Sequence, residues 1–496
     1  MNPAHSLGPH TLERTSGAPL RSGNRLGLLR NANQTYDDWL TAIAGARKWI
    51  HFENYIFKGD TIGRRFADAL AERAQAGVVV RVLYDWFGSH DVRRSFWNEL
   101  RARGIDVRPI NPLRLAEPLA AIQRDHRKLI AIDGEYASIG GVGVADPWLQ
   151  RAPGTNLPYR DTCVSVEGPA VADIERAFAD VWDRNGSPLP MDERPDVDSI
   201  ALVGDRDVRV VIQEPGRMRM SRVLQALTAS AEERIWVADA YFLAAWDLRE
   251  GLIAAARDGV DVRLLLPSTS DLYLVGPLSR SGYRRLIEEG VRIWEYQGPM
   301  MHAKTFVADG WCSRIGSTNL TVTGLVTNWE IDVIIEDREF ALDMERTYLA
   351  DLEDAREVIP YRGRVSRTFA RRQRPRQLMR GSGSEATASL ASLGGAVVQG
   401  AALDVFRAHE ERLTGIVGAG TLAAALLGLV FPRVLAIPVA TLLGLVGITG
   451  LSRAIRESGE RRSAARRRPP DIDIALAPAP DDDARFDPLL DSDAGT

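Results

Sequence analysis

The sequence predicts an α/β protein built from two similar halves and followed by a C-terminal transmembrane helical hairpin. Three observations carry this reading. The pattern His-x-Lys-x4-Asp occurs twice, at His126-Arg127-Lys128 with Asp133 and at His302-Ala303-Lys304 with Asp309. The strand and helix signals around the two copies follow one another in the same order. Two long apolar runs without an ionisable residue, 413–431 and 434–451, lie near the C-terminus.

The elements follow in chain order. Residues 1–23 are polar and punctuated by Pro and Gly, so they are expected to be disordered. The first half, 24–190, has a β-rich stretch at Trp49–Phe57 and a helical stretch from Thr61 to Ala76 that Gly77 ends. A continuous buried-strand run covers Val78–Asp85, and Val107–Ile110 and Leu129–Ile132 are further strands. Residues 191–207 connect the halves. The second half, 208–361, repeats the order with a β-rich Arg234–Tyr241, a helical Asp247–Asp258 ended by Gly259, and a strand at Val260–Leu266.

Wording repeats as well as rhythm. Gly77-Val78-Val79-Val80-Arg81-Val82-Leu83 matches Gly259-Val260-Asp261-Val262-Arg263-Leu264-Leu265. Glu53-Asn54-Tyr55-Ile56-Phe57 matches Asp239-Ala240-Tyr241-Phe242-Leu243. A domain-sized period means a duplicated unit, not a solenoid. Trp49, Trp86, Phe87, Phe96 and Trp97 are expected in the cores, and His51 and His90 in structural roles.

Beyond the second half the composition changes. Residues 362–395 hold eight Arg up to position 380 and then a Gly/Ser linker. Residues 396–412 suit an amphipathic helix. The runs within 413–451 are each about long enough to cross hydrocarbon and are separated by Pro432-Arg433. Arg407 and Arg412 flank one side and seven Arg between 453 and 468 the other, so both flanks are expected to stay cytoplasmic. A re-entrant hairpin and a pair of buried soluble helices remain open. Residues 452–496 read as a disordered tail, basic and then acidic.

Charge and cysteines narrow the class. Residues 1–361 carry 43 basic against 52 acidic side chains, which argues against binding a nucleic-acid backbone. Cys163 and Cys312 have neither metal-ligand nor disulfide-framework spacing, so a reducing compartment is the simple reading. No apolar signal-peptide core stands at the N-terminus.

The repeated motif carries chemistry. The chain holds four Lys against 58 Arg, and two of the four sit in the motif. Lys is a compact point donor suited to one phosphoryl oxygen, whereas Arg is a broad fork. Residues two apart on a strand share a face, so His126 and Lys128, and His302 and Lys304, can each enter one cleft. Two imidazoles facing one phosphorus can divide the labour between nucleophile and proton donor. The two Lys and Asn319 would hold the non-bridging oxygens. No metal and no cofactor are needed.

The chain resembles the phospholipase D superfamily, marked by this duplicated motif, and within it the bacterial cardiolipin synthases. The residues that carry the likeness are His126–Gly134, Met301-His302-Ala303-Lys304, Glu53–Phe57, Tyr159-Arg160-Asp161-Thr162 and Gly316-Ser317-Thr318-Asn319-Leu320. The resemblance implies two α-β-α sandwich halves that form one composite active site. It implies a phosphohistidine on His126 and a proton from His302. Asp161 and Glu330 match acidic positions that orient an imidazole, and Asp133 and Asp309 support strand and turn more than chemistry. It further implies anionic phospholipid substrates, phosphatidylglycerol first; the charge balance predicts no nucleic acid, and the arginine-flanked apolar runs predict a place at a bacterial inner membrane with the catalytic part and both termini cytoplasmic.

Two departures accompany it. Gly143 stands where the family usually has Asn, and the apolar runs follow the catalytic halves instead of preceding them. Transfer to a second phospholipid is the leading activity. Hydrolysis to phosphatidic acid, a nuclease or other phosphodiesterase, and a catalytically weak scaffold are the rivals.

Overall fold

The computed structural model describes residues 10–112, 123–149, 157–243, 245–271, 275–361 and 364–365. All belong to one unit, Met1–Pro432. The expected linker, amphipathic helix, hairpin and tail lie outside the described residues. Among the described residues no helix is long and apolar enough to cross a membrane.

Helix α1 (Thr11–Ser16) precedes the first half. That half comprises β1 (Arg21–Leu29), α2 (Ala32–Gly45), β2 (Trp49–Asn54), α3 (Thr61–Gln75), β3 (Val79–Asp85), α4 (Arg94–Ala102), β4 (Asp106–Ile110), β5 (Lys128–Ile132), β6 (Tyr136–Gly140), α5 (Asp146–Leu149), β7 (Cys163–Glu167) and α6 (Ala170–Arg184). The second comprises β8 (Arg206–Gln213), α7 (Arg219–Ser230), β9 (Arg234–Ala238), α8 (Trp246–Arg257), β10 (Asp261–Pro267), α9 (Val275–Ser281), α10 (Tyr283–Glu288), β11 (Arg292–Tyr296), β12 (Thr305–Ala308), β13 (Cys312–Gly316), β14 (Glu330–Glu336), α11 (Arg338–Glu353) and β15 (Ala355–Glu357).

These strands form one sheet in the order β15-β11-β10-β9-β12-β13-β14-β8-β1-β7-β6-β5-β2-β3-β4. Outward from the antiparallel β1–β8 seam, one arm runs β1-β7-β6-β5-β2-β3-β4. The other runs β8-β14-β13-β12-β9-β10-β11, strand for strand the same path. The topology thus carries the duplication that the sequence shows.

Both faces of each arm are covered, which is why the motif strands read as unbroken apolar runs. In β5, Ile130 and Ile132 face a core shared with α2, α3 and α4, while Leu129 and Ala131 enter a second core. That second core is common to the halves. It joins Ile139, Val164 and Phe178 of the first half to Val210, Ile315, Val333 and Phe340 of the second. In β12 Phe306 and Ala308 face the core of α7, α8 and α10, and Val307 the shared one.

Residues 10–23 correct the expectation of a disordered N-terminus. Leu12 and Ala18 are buried with Val223 and Leu227 of α7, and β1 already begins at Arg21. Gly17, at φ 64, ends the short helix with its N–H on the Glu13 carbonyl. A six-residue helix with one leucine leaves too little periodicity to be read from sequence.

The aromatic expectation also needs correction at two of five positions. Trp49, Phe96 and Trp97 are buried, but Phe87 is only half-buried and Trp86 is 37% exposed. His51 is fully buried between Glu175 (2.5 Å) and Glu193 (3.1 Å) and so ties the connector to β2.

Candidate active site

The two motif histidines are brought together by a crossed arrangement of the halves. Asp125, just before His126, forms a parallel bridge with Trp329, just before Glu330. Met301, just before His302, bridges Arg160, just before Asp161. The His126 amide donates to the Trp329 carbonyl at 2.9 Å, and the His302 amide to the Arg160 carbonyl at 2.7 Å.

The side chains follow the same crossing. His126 Nδ1 lies 3.1 Å from Glu330 Oε2, and His302 Nδ1 lies 2.7 Å from Asp161 Oδ2. Each imidazole is therefore aligned by a carboxylate from the opposite half. With Nδ1–H engaged by the carboxylate, the Nε2 lone pair of a neutral ring is left for the reacting phosphorus.

The lysines lie beneath. Lys128 Nζ donates to the His126 carbonyl at 2.6 Å, and Lys304 Nζ donates to the His302 carbonyl and stands 3.1 Å from His302 Nδ1. Both are fully buried, whereas His126 and His302 keep 8% and 4% of their surface. Asn319 keeps 7% of its surface, and its buried Oδ1 has no hydrogen-bond partner among the described residues.

Asp133 and Asp309 are not brought to this site. Each ends its strand in a left-handed turn, at φ 58 and 50. The Asp133 carboxylate accepts from the amides of Arg47, Lys48 and Trp49 at 2.7–2.8 Å, and Asp309 from those of Glu232, Glu233 and Arg234 at 2.8–2.9 Å. Asp133 is about 16 Å along the strand from Lys128. The motif aspartates fasten the start of β2 and of β9, which is the strand-and-turn role expected of them in preference to a chemical one.

Sequence reasoning missed three aromatic walls. The Tyr55 ring is 4.7 Å from His126, and Lys128 Nζ sits 5.1 Å from the Tyr55 centroid. Tyr241, its repeat partner, meets His302 edge-on at 6.3 Å. Trp148 meets His302 edge-on at 5.2 Å. The matching segments Glu53–Phe57 and Asp239–Leu243 were the available signal for the tyrosines. Trp148 has no such counterpart.

Burial sets the charge states. It lowers His126 despite Glu330, and with Lys304 it lowers His302 to about 3 despite Asp161. Burial also lowers Lys128 to about 7 and depresses Lys304. It pushes Asp161 and Glu330 up, but the facing His302 and Lys304, and His126 and Lys128, hold these carboxylates below their usual range. The free site thus holds two neutral imidazoles, two carboxylates and two buried lysines, of which Lys128 is poised to lose its proton.

An oxyanion entering this site favours every protonated group, so it raises the Lys128 pKa above its free value. Between the free and bound values, binding takes up a proton and the affinity falls as pH rises. Tungstate, a dianion that does not titrate near pH 8, bound calorimetrically at that pH in two buffers of different ionisation enthalpy, is expected to show net proton uptake. Equal heats in both buffers would contradict the assignment.

The family described as cardiolipin synthase, PLD-like domain, matches residues 39–182 and 224–352. A cardiolipin synthase 1 of Bacillus anthracis is 31% identical over 357 residues, covering 70% of each chain. A cardiolipin synthase of Geobacillus kaustophilus (strain HTA426) is 30% identical over 381 residues, covering 74% of each. The crystal structure of a phosphatidylserine synthase from Haemophilus influenzae Rd KW20 superposes with a TM-score of 0.59 at 12% identity. It covers 78% of this chain and 99% of that one, and so shares the fold. Two crossed His–carboxylate pairs on a duplicated α/β sheet, the family match over most of both halves and these relatives together place the chain in the cardiolipin synthase family of PLD-like proteins.

Proposed function

We propose that the protein is a membrane-anchored phosphatidyltransferase of cardiolipin-synthase type. The observation that carries this reading is the pair of buried imidazoles, each held by the other half's carboxylate above a buried lysine. His126 Nε2 attacks the phosphorus of phosphatidylglycerol, and the P–O bond to the headgroup glycerol breaks. The glycerol oxygen leaves with a proton from His302. The phosphodiester anion itself supplies the field that lets His302 carry that proton, since burial leaves the free ring neutral. His302, now neutral, takes the proton from the glycerol hydroxyl of a second phospholipid. That oxygen displaces His126 from phosphorus, giving cardiolipin and the starting enzyme. Lys128, Lys304 and Asn319 stabilise the charge on the non-bridging oxygens.

The apolar runs at 413–431 and 434–451, with arginines on their flanks, support a hairpin that holds the site beside the cytoplasmic leaflet of a bacterial inner membrane. The 43 basic against 52 acidic residues of 1–361 count against a nuclease. The test is expression of the full chain in a bacterial strain without cardiolipin, followed by chromatography of the lipids. Cardiolipin is the expected product. Phosphatidic acid alone would make the protein a hydrolase, with water in place of the second lipid hydroxyl.

A further inference from the structure

The two carboxylates that align the histidines are themselves held differently. In the second half, Ser317 Oγ donates to Glu330 Oε2 at 2.6 Å, the oxygen that faces His126. By the repeat, Ser317 corresponds to Gly141 and Asn319 to Gly143. Gly141 has no hydroxyl to offer, and a Cβ there would lie 2.1 Å from Asp161 Oδ1. Asp161 nonetheless has a donor. Trp148 Nε1 reaches Asp161 Oδ2 at 2.8 Å, the oxygen that faces His302.

The indole fits because Gly143 makes room for it, as Gly141 makes room for the Asp161 carboxylate. A Cβ on Gly143 would stand 2.9 Å from Trp148 Cη2 and 3.0 Å from Cζ3. The ring is 4% exposed and meets both His302 (5.2 Å) and Tyr159 (5.3 Å) edge-on. Its backbone is pinned on each side. The Asp146 amide donates to Asp60 Oδ2 at 2.8 Å, and the Asp146 carboxylate accepts from the Ile62 amide at 2.9 Å. The Tyr159 amide donates to the Pro147 carbonyl at 2.9 Å.

We propose that Trp148 is a positioning residue for His302, acting through Asp161 in the place that a serine hydroxyl fills in the other half. The loss of the side chain at 143 and the presence of an indole at 148 are then one change. Volume removed from the phosphate-facing loop is taken by the ring, and the hydrogen bond absent at 141 is restored from α5. The two carboxylates keep equal hydrogen-bonding while the two halves differ in what surrounds the phosphate.

The inference rests on the phosphohistidine chemistry proposed above, and its test is separable from that of the product. Full-length Trp148→Phe keeps the ring and removes the N–H. Its kcat is compared with wild type on phosphatidylglycerol and on phosphatidyl-p-nitrophenol, whose leaving group needs no proton. A lost hydrogen bond to a charged group is expected to lower kcat about 10-fold or more. KM should change little. The ratio of losses on the two substrates should follow that of His302→Ala in reduced measure. Gly143→Ala, which pushes on the ring without touching the N–H, should show the same ratio. Unchanged kcat in Trp148→Phe, or a loss with the substrate ratio of His126→Ala, would overturn the proposal. The identity of the lipid product judges the transferase reading independently.

Discussion

His302→Ala is expected to abolish turnover of phosphatidylglycerol yet retain cleavage of phosphatidyl-p-nitrophenol, whereas His126→Ala is expected to lose both. The physical argument is the division of labour between two otherwise similar rings. An alkoxide leaving group must be protonated as it departs, and general acid catalysis of this kind contributes about 10²–10⁴-fold. A nitrophenolate departs as a stable anion, so removal of the acid costs little in the first step. Removal of the nucleophile leaves no path to the covalent intermediate, with losses on the order of 10⁶-fold where such groups act as a unit. With Ala at 302, the second step also lacks its base. The phosphohistidine on His126 should therefore accumulate and be visible by mass spectrometry after rapid quench. The reverse pattern, with His126→Ala cleaving the activated lipid, would exchange the two roles.

The second large effect tests the crossing. Asp161→Asn should carry the signature of His302→Ala, and Glu330→Gln that of His126→Ala. Each amide preserves shape but can present an NH2 group to Nδ1. The ring then turns to the tautomer with its proton on Nε2, which removes the lone pair that His126 needs for attack and His302 needs as base, and without the Asp161 carboxylate the His302 imidazolium that donates the proton loses its stabilising charge. An amide in place of an orienting carboxylate can lower kcat by about 10⁴-fold. Asp161→Asn is thus expected to lose about 10²–10⁴-fold on phosphatidylglycerol and far less on the nitrophenyl lipid. Glu330→Gln should lose similarly on both. If each carboxylate served the histidine of its own half, the two signatures would be interchanged. Kinetics on two substrates therefore read out a structural relation between residues 141 and 204 positions apart.

The motif residues were legible because parity on a strand is a local property. His126 and Lys128 share a face whatever the rest of the chain does, and the duplication announced that a second such face exists. The crossing was not legible. Asp161 follows His126 and Glu330 follows His302 in sequence, and no local pattern tells which half a carboxylate will face. Tyr55 and Tyr241 stood in plain view as repeat partners, but their alignment with strand β2 and strand β9 suggested packing before a wall of the site. Trp148 left no trace because repeat logic finds what two halves share, whereas this indole compensates for what they do not. Helix α1 escaped for want of length. Its one leucine gains meaning only against α7, some two hundred residues away.

The crossed carboxylates also bear on the order in which the chain is made. When residues up to the connector have left the ribosome, His126 and Lys128 exist but Glu330 does not. The first motif cannot be aligned until β14 has been synthesised and has paired with β13 and β8. A nascent first half therefore carries a complete copy of the motif without the carboxylate that aligns its histidine. That alignment arrives only with the last strands of the second arm.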